Sequence, residues 1–234
     1  MTAPISLWID GKEIQASSGQ TILEVCRKNN VDLPTLCHFD GLSEVGACRM
    51  CLVEVEGVSR LLPACVTMIA ANQRIWTQTD KLQKYRRGIV ELLFSERNHI
   101  CSVCVADQHC ELQELAKKTG MDHVSVAYLM PGVELDASHG QYILDQNRCV
   151  LCTRCVRVCD EVEGAHVWDV MNRGVSTRII SGFHEPWGTN MDCTNCGKCV
   201  MVCPVGAIWA KGDYQGRMVK HPEKISKLIQ KRGG

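Results

Sequence analysis

The sequence is poor in aromatic residues, has no net charge and contains no long apolar run. Its 234 residues include only three Phe, four Tyr and five Trp, so any one domain has a modest aromatic core. Lys and Arg number 26, as do Asp and Glu, and the formal net charge of zero argues against a nucleic-acid-binding protein. No apolar stretch approaches the ~20 residues of a membrane-spanning helix. The start of the chain also lacks the basic and apolar pattern of a secretion signal.

Common nucleotide-binding and catalytic motifs are missing as well. The sequence contains no G-x-G-x-x-G, no P-loop, no H-E-x-x-H and no G-x-S-x-G. We therefore expect neither an NAD-binding site nor a catalytic residue on this chain. Cys is what the sequence has in excess, with sixteen residues. In a reducing cytoplasm, thiols at short regular spacings are metal ligands more often than disulfides, so we expect a cytoplasmic metal-binding protein.

The strongest pattern is a doubled run of four Cys near the C-terminus. It reads Cys149-x2-Cys152-x2-Cys155-x3-Cys159 and then Cys193-x2-Cys196-x2-Cys199-x3-Cys203-Pro204. Such runs bind two [4Fe–4S] clusters, and the fourth Cys of each run ligates the other cluster. We predict a first cubane set of Cys149, Cys152, Cys155 and Cys203, and a second cubane set of Cys193, Cys196, Cys199 and Cys159. The alternative is a pair of four-cysteine zinc sites, which a doubled run ending in Cys-Pro fits poorly.

The first 79 residues predict a strand–hairpin–helix unit. Residues 5–9 alternate apolar and polar side chains, Asp10-Gly11 is typical of a two-residue hairpin turn, and residues 13–17 return as a second strand. Thr21-Ile-Leu-Glu24 fits a capping box that opens a helix to about Asn29. Cys26 shares the apolar face of this helix and is predicted to be a core residue.

Four further Cys follow this helix with the spacing Cys37-x10-Cys48-x2-Cys51-x13-Cys65. We call them the two-iron set, and we predict strands over residues 52–55 and 59–65. The arrangement resembles the β-grasp fold of plant-type [2Fe–2S] ferredoxins. Its long first gap is similar to the N-terminal domain of the large iron–sulfur subunit of respiratory complex I. A four-Cys zinc site is the alternative, and a Rieske-type centre using His38 would require a second His.

Residues 80–122 predict two helices around a fourth ligand set. Asp80 is the predicted cap of the first helix. The apolar face of this helix contains Leu82, Tyr85, Ile89, Leu92 and Leu93. Its basic residues lie mostly on a solvated side, and they are Lys81, Lys84, Arg86 and Arg87. The spacing His99-x-Cys101-x2-Cys104-x5-Cys110 follows, then a helix over 111–119 that ends at Gly120.

This histidine set (His99, Cys101, Cys104 and Cys110) resembles the one-His, three-Cys [4Fe–4S] domain of the complex I subunit, including the Cys-Glu-Leu-Gln run. Complex I has three residues between the His and the first Cys. The single residue found here is similar to NAD-reducing [NiFe] hydrogenase subunits. His109 or a non-protein ligand are the alternatives to His99.

The remaining segments carry fewer signals. Residues 123–140 are predicted to be a linker, with His123 and His139 at the surface. A short strand is predicted at 142–144 and a hairpin over 167–170 and 176–180. His166 and His184 are not predicted ligands, because both cubanes are fully ligated by Cys. The basic tail over 211–234 favours a solvated helix, with docking on an acidic neighbouring subunit as the alternative.

These predictions combine into an α+β protein of three modules: residues 1–79, 80–122 and 141–210. Together they would hold one [2Fe–2S] cluster and three [4Fe–4S] clusters. Nearly the whole chain resembles the small diaphorase subunit of cytoplasmic NAD-reducing (bidirectional) [NiFe] hydrogenases.

This resemblance implies an electron-transfer subunit that joins a diaphorase subunit, which binds FMN and NAD, to the small and large [NiFe] hydrogenase subunits. No nucleic acid or membrane partner is expected. Because the sequence ends soon after the second cubane run, we expect a separate subunit rather than part of an iron-only hydrogenase or of complex I. Three alternatives remain: the equivalent subunit of an NAD-linked formate dehydrogenase or complex I-like enzyme, a zinc-binding interaction module, and a redox-sensing regulator.

Overall fold

The computed structural model describes residues 4–218 and 220–232 and combines helices with three small sheets. The chain divides into two compact units. Unit 1 contains residues Met1–His38 and Glu44–Ile89, and unit 2 contains Phe39–Ser43 and Val90–Gly234. Among the described residues, no helix is both long and apolar enough to cross a membrane.

Unit 1 is a five-stranded sheet with one short helix and the first part of a longer one, residues 80–89. Its elements are β1 (Pro4–Ile9), β2 (Lys12–Ser17), α1 (Ile22–Lys28), β3 (Leu52–Val55), β4 (Leu62–Pro63) and β5 (Arg74–Trp76). The strand order is β2-β1-β5-β3-β4, in which β1 and β5 are parallel and the other neighbours are antiparallel. The core lies between this sheet and α1.

The hairpin turn, the helix capping box and the core position of Cys26 in this unit are as predicted. Asp10 and Gly11 both have positive φ, 49° and 81°, which is the backbone that a tight hairpin turn between twisted strands requires. The capping box is present, since the Glu24 N–H donates to Thr21 Oγ1 at 3.2 Å and the Thr21 N–H donates to Glu24 Oε2 at 2.6 Å. Cys26 is fully buried in the core, as predicted.

Two strands of unit 1 differ from the prediction. The strand predicted over residues 59–65 is limited to Leu62–Pro63. Pro63 has no N–H to donate to the ladder, which weakens the pairing at this position. The unpredicted strand β5 lies between β1 and β3 in the middle of the sheet and buries Ile75.

The remaining elements follow in chain order. They are α2 (Asp80–Glu96), α3 (Glu111–Thr119), β6 (Leu135–Asp136), β7 (Tyr142–Asp145), α4 (Arg154–Arg157), which continues as a π-helix over Val158–Glu163, β8 (Trp168–Met171), β9 (Arg178–Ser181), α5 (Lys198–Val202), β10 (Ile208–Ala210) and α6 (Pro222–Arg232). In unit 2, β10, β7 and β6 form an antiparallel sheet, and β8 and β9 form the predicted hairpin. The helix α3 ends at Gly120, as predicted.

The structure corrects the prediction for α2. The Leu82 N–H donates to Thr79 Oγ1 at 3.3 Å, so Thr79 caps this helix instead of Asp80. Tyr85 and Leu92, predicted on the buried face, are exposed. Arg86, predicted on the solvated face, is only 1% exposed and the prediction was wrong. Arg86 lies four residues from each of two buried positions of the helix, Leu82 and Val90, so it shares their stripe.

The predicted linker is also more ordered than expected. It contains β6, and His139, predicted at the surface, is only 3% exposed, so that prediction was wrong. His123 is exposed, as predicted. The basic tail forms α6, whose Ile225 is buried in unit 2.

Candidate metal centres

The two-iron set gathers in unit 1 around the loop that precedes β3. The Cys37 N–H lies 3.4 Å from Cys48 Sγ and donates to it. A hydrogen bond between Cys51 and Cys65 lowers the pKa of the Cys51 thiol to about 7 and raises that of Cys65. The charge of Cys37 also acts on both of these thiols. The four sulfurs therefore form one electrostatically connected group.

Arg86 supports this loop from α2. Its Nε donates to the Met50 carbonyl at 3.2 Å and its Nη2 donates to the Leu52 carbonyl at 2.8 Å. These two carbonyls flank Cys51, whose charge also acts on the guanidinium. Sequence reasoning missed this residue, although its register with Leu82 and Val90 on the helix was a usable signal.

The histidine set lines one small cavity in unit 2. His99 Nε2 is buried and makes no hydrogen bond to any described residue, while the Leu93 backbone bonds the ring. Burial and the nearby Arg148 lower the pKa of His99 to about 4, which leaves the imidazole neutral. A neutral ring with one nitrogen bonded to the backbone and the other free is how a metal-binding His is oriented. His109 lines a different, open groove.

The cavity of the histidine set is kept open by a small residue. A Cβ added to Gly206 would lie 2.6 Å from Cys104 Sγ. Burial raises the pKa of Cys110 to about 11. The orphaned nitrogen, the three thiols and this close approach fit a bound iron–sulfur cluster.

The first cubane set lines a second small cavity. Burial raises the pKa of Cys149 to about 12 and that of Cys152 to about 11. The second cubane set lines a third small cavity. Cys203 therefore lines the cavity of the Cys149 run, and Cys159 lines the cavity of the Cys193 run.

The two Cys-x2-Cys-x2-Cys loops share one backbone conformation. In the first loop, Leu151 and Thr153 have positive φ, 52° and 58°, and in the second loop the equivalent residues, Asn195 and Gly197, have φ of 57° and 68°. The left-handed residues turn backbone N–H groups inward, and the Leu151 N–H donates to Cys149 Sγ at 3.4 Å. This repeated geometry, which Leu151 and Thr153 adopt although non-Gly residues ordinarily avoid it, fits two equivalent clusters.

Three buried arginines surround the first cubane set. Arg154 donates to both carboxylate oxygens of Glu111 at 2.7 and 2.8 Å, and Arg157 donates to the Cys152 carbonyl at 3.1 Å. Arg97 donates to the Thr177 carbonyl, and its charge lowers the pKa of Cys149 against the larger effect of burial. Buried positive charge beside several thiols favours their ionised, metal-binding form.

Among the described residues, no three or more His, Cys, Asp or Glu side chains are arranged to bind a single metal ion, whether inside or outside the four ligand sets. His166 is exposed and lies 2.5 Å from Asp160. His38 bonds Glu44.

Three family models match successive parts of the chain. They are a 2Fe-2S iron-sulfur cluster binding domain over residues 2–80, the NADH-ubiquinone oxidoreductase-G iron-sulfur binding region over 86–125, and the NADH-quinone oxidoreductase subunit 3 ferredoxin-like domain over 140–209. Each model describes an iron–sulfur protein, and their order along the chain is the order of the ligand sets.

Curated relatives match most of this chain with part of their own length. The chain is 34% identical over 230 residues to the NADP-reducing hydrogenase subunit HndD of Solidesulfovibrio fructosivorans, covering 94% of this chain and 39% of that protein. It is 32% identical over 208 residues to the NADH-ubiquinone oxidoreductase 75 kDa subunit of Reclinomonas americana, covering 88% of this chain and 29% of that protein. The NADPH-Fe(3+) oxidoreductase subunit alpha of Geobacter sulfurreducens is 35% identical over 214 residues, which cover 91% of this chain and 25% of that protein.

One solved structure is similar over nearly the full length of both chains. It is a chain of an NAD+-reducing [NiFe]-hydrogenase in the H2-reduced state, with a TM-score of 0.84 and 28% sequence identity. The match covers 97% of this chain and 99% of that chain. Successive parts of the chain therefore match three iron–sulfur domain families, and most of its length is similar to the hydrogenase subunit HndD and to the 75 kDa subunit of complex I.

Proposed function

We propose that the chain binds one [2Fe–2S] cluster on the two-iron set and three [4Fe–4S] clusters on the other three sets. The proposed modules are residues 1–79, 80–122 and 141–210, followed by the basic tail over 211–234. The observation that carries this proposal is the exchange of the last Cys between the two cubane runs, with each complete set around its own cavity. Bound clusters of these types supply one-electron redox centres and no substrate chemistry.

The residues of the chain hold these centres and control their surroundings. Thiolates and the His99 imidazole fix the position of each centre, and burial of most of the Cys keeps water away from it. Burial raises the pKa of Cys149 and Cys152, so loading of iron must displace their protons. The charges of Arg97, Arg154 and Arg157 offset the negative charge that accumulates there. The chain thus relays electrons and takes no direct part in catalysis.

We further propose that this relay connects a diaphorase subunit that binds FMN and NAD to the small and large subunits of a [NiFe] hydrogenase in the cytoplasm. Electrons then pass between hydrogen and NAD(H) in either direction. The near-complete match to a chain of an NAD+-reducing [NiFe]-hydrogenase supports this assignment, because that match covers 99% of the other chain. The curated relatives support the same class of electron relay but contain large additional regions.

The test is isolation of the native complex through a tag on this chain. We expect the diaphorase and [NiFe] subunits by mass spectrometry, and hydrogen-dependent reduction of NAD+ by the isolated complex. Recovery of a formate dehydrogenase or of complex I-like subunits would instead support the alternative relay.

Metal content tests the ligand sets separately from the partners. Four clusters of these types correspond to about fourteen irons per chain, with equal sulfide. Cys26→Ala is a matched control, because Cys26 is buried in the apolar core of unit 1 and is not a proposed ligand, so this variant should retain all of this iron. A colourless protein that holds zinc, or a chain with about six irons, would contradict the four-cluster proposal.

A further inference from the structure

Four aromatic rings pack together beside the second cubane set, and none of them belongs to the proposed ligands. We call Trp168, Trp187, His139 and Tyr142 the aromatic cap. The ring centroids of His139 and Trp187 are 4.3 Å apart, those of Trp168 and Trp187 are 4.7 Å apart, and those of His139 and Tyr142 are 5.0 Å apart. Trp187 is 1% exposed and Trp168 is 4% exposed. The cap is thus a buried layer in a chain that has few aromatic residues.

The backbone fixes the tautomer of His139. The N–H groups of Gln141 and Tyr142 both donate to His139 Nδ1, at 3.0 and 3.1 Å. A ring nitrogen that accepts hydrogen bonds carries no proton, so the proton of the neutral ring is on Nε2. This Nε2 lies 3.7 Å from Cys193 Sγ, and the Asn195 side chain also bonds the ring. The imidazole therefore directs a neutral N–H toward the sulfur of a proposed ligand.

The two indoles direct N–H groups in the same direction. Trp187 Nε1 donates to Cys193 Sγ at 3.4 Å, and the Trp168 side chain hydrogen-bonds Cys199. An indole nitrogen can only donate, so the direction of these bonds is unambiguous. Cys193 thus faces two side-chain donors from different segments of unit 2. Tyr142 belongs to the same stack, but its hydroxyl donates to the Asn195 carbonyl at 3.3 Å instead of to a thiol.

We propose that His139 and Trp187 are positioning residues that raise the reduction potential of the cluster on the second cubane set through N–H···S hydrogen bonds to Cys193. The inference rests on the proposed ligand set. Reduction adds negative charge to the cluster and its thiolates, and an N–H dipole aimed at a thiolate stabilises the reduced form more than the oxidised form.

The test compares four variants of the full chain loaded with iron and sulfide. His139→Leu removes the imidazole donor, and Trp187→Phe removes the indole donor while keeping an aromatic ring. Tyr142→Phe is the matched control, since it stays in the stack and removes no bond to a thiol. Redox titrations followed by EPR should show one [4Fe–4S] cluster shifted to more negative potential in the first two variants and unshifted in the control. His139→Gln, which keeps an N–H at a similar reach, should recover part of the shift.

The outcomes separate this inference from the ligand assignment. If Cys193→Ala leaves the iron content unchanged, the ligand assignment is wrong. If the cluster is present and both donor-removing variants titrate like the wild type, the proposal about the cap is overturned. If His139→Leu does not retain the cluster, Trp187→Phe alone decides. In the wild-type chain with ¹⁵N-labelled histidine, the EPR signal of the reduced cluster should show a hyperfine coupling to nitrogen that changes in His139→Gln. The absence of this coupling would also overturn the proposal.

Discussion

Replacement of Arg86 by Met tests how the loop of the two-iron set is held. The guanidinium is buried and donates to the Met50 and Leu52 carbonyls, on either side of Cys51. Met fills a similar apolar volume but leaves both carbonyls without this donor. An unsatisfied buried acceptor costs about 1–3 kcal/mol, and the removal of a buried charge offsets part of the total. We expect unit 1 to lose about 2–4 kcal/mol of stability.

The assay is guanidinium-induced loss of the visible circular dichroism of the [2Fe–2S] cluster. With a denaturant dependence of about 2–4 kcal/mol per molar for a unit of this size, the midpoint should fall by about 1 M. Lys84→Met is the matched control, because Lys84 is exposed on the same helix and should change stability by less than about 0.5 kcal/mol. Equal midpoints for Arg86→Met and Lys84→Met would refute the reasoning. The potential of this cluster should also fall, since a positive charge near Cys51 is lost.

Three further predictions concern the Cys and His assignments. Cys203→Ala should damage the cluster of the first cubane set, and Cys159→Ala should damage that of the second. The exchange of the last Cys between the two runs would be contradicted if EPR of the reduced variants showed that each substitution damages the cluster of the run in which it lies. His99→Ala should make the cluster of the histidine set labile. His99→Cys should retain this cluster at a lower reduction potential, because a thiolate adds a negative charge. An unchanged EPR signal in His99→Ala would exclude His99 as a ligand. Cys26→Ala should cost on the order of 1 kcal/mol in thermal or denaturant unfolding, and loss of any cluster would show that Cys26 is more than a core residue.

Sequence patterns that span only a few residues predicted most of the fold. The Asp10-Gly11 turn and the Thr21–Glu24 capping box each depend on residues a few positions apart, and both formed as predicted. The three-residue strand β5 was missed because its pairing depends on β1 and β3, which are distant in sequence. Pro63 was the available signal that its strand would be short.

For the histidine set and both cubane sets, the ligand spacings grouped residues that line one cavity, but charge and polarity misled the prediction of their surroundings. Arg86 and His139 were placed at the surface because isolated Arg and His residues are usually solvated. Both are buried because backbone groups hold them: two carbonyls accept from Arg86, and two N–H groups donate to His139. The backbone groups that hydrogen-bond Arg86 and His139 cannot be identified from the sequence, because backbone groups carry no residue-specific signal.

The backbone bonds between the histidine-set loop and the end of the chain bear on how the protein is made. The Glu111 N–H donates to the Pro204 carbonyl, and the Gly216 and Met218 N–H groups donate to the carbonyls of Cys104 and Val105. During synthesis the ribosome releases the N-terminal part first, at ~5–20 residues per second. The two-iron set is complete once Cys65 has emerged, whereas the backbone partners of the histidine-set loop emerge only with residues 204–218. A nascent chain stalled before residue 204 would therefore contain every Cys of the two-iron set but lack the backbone partners of Cys104, Val105 and Glu111.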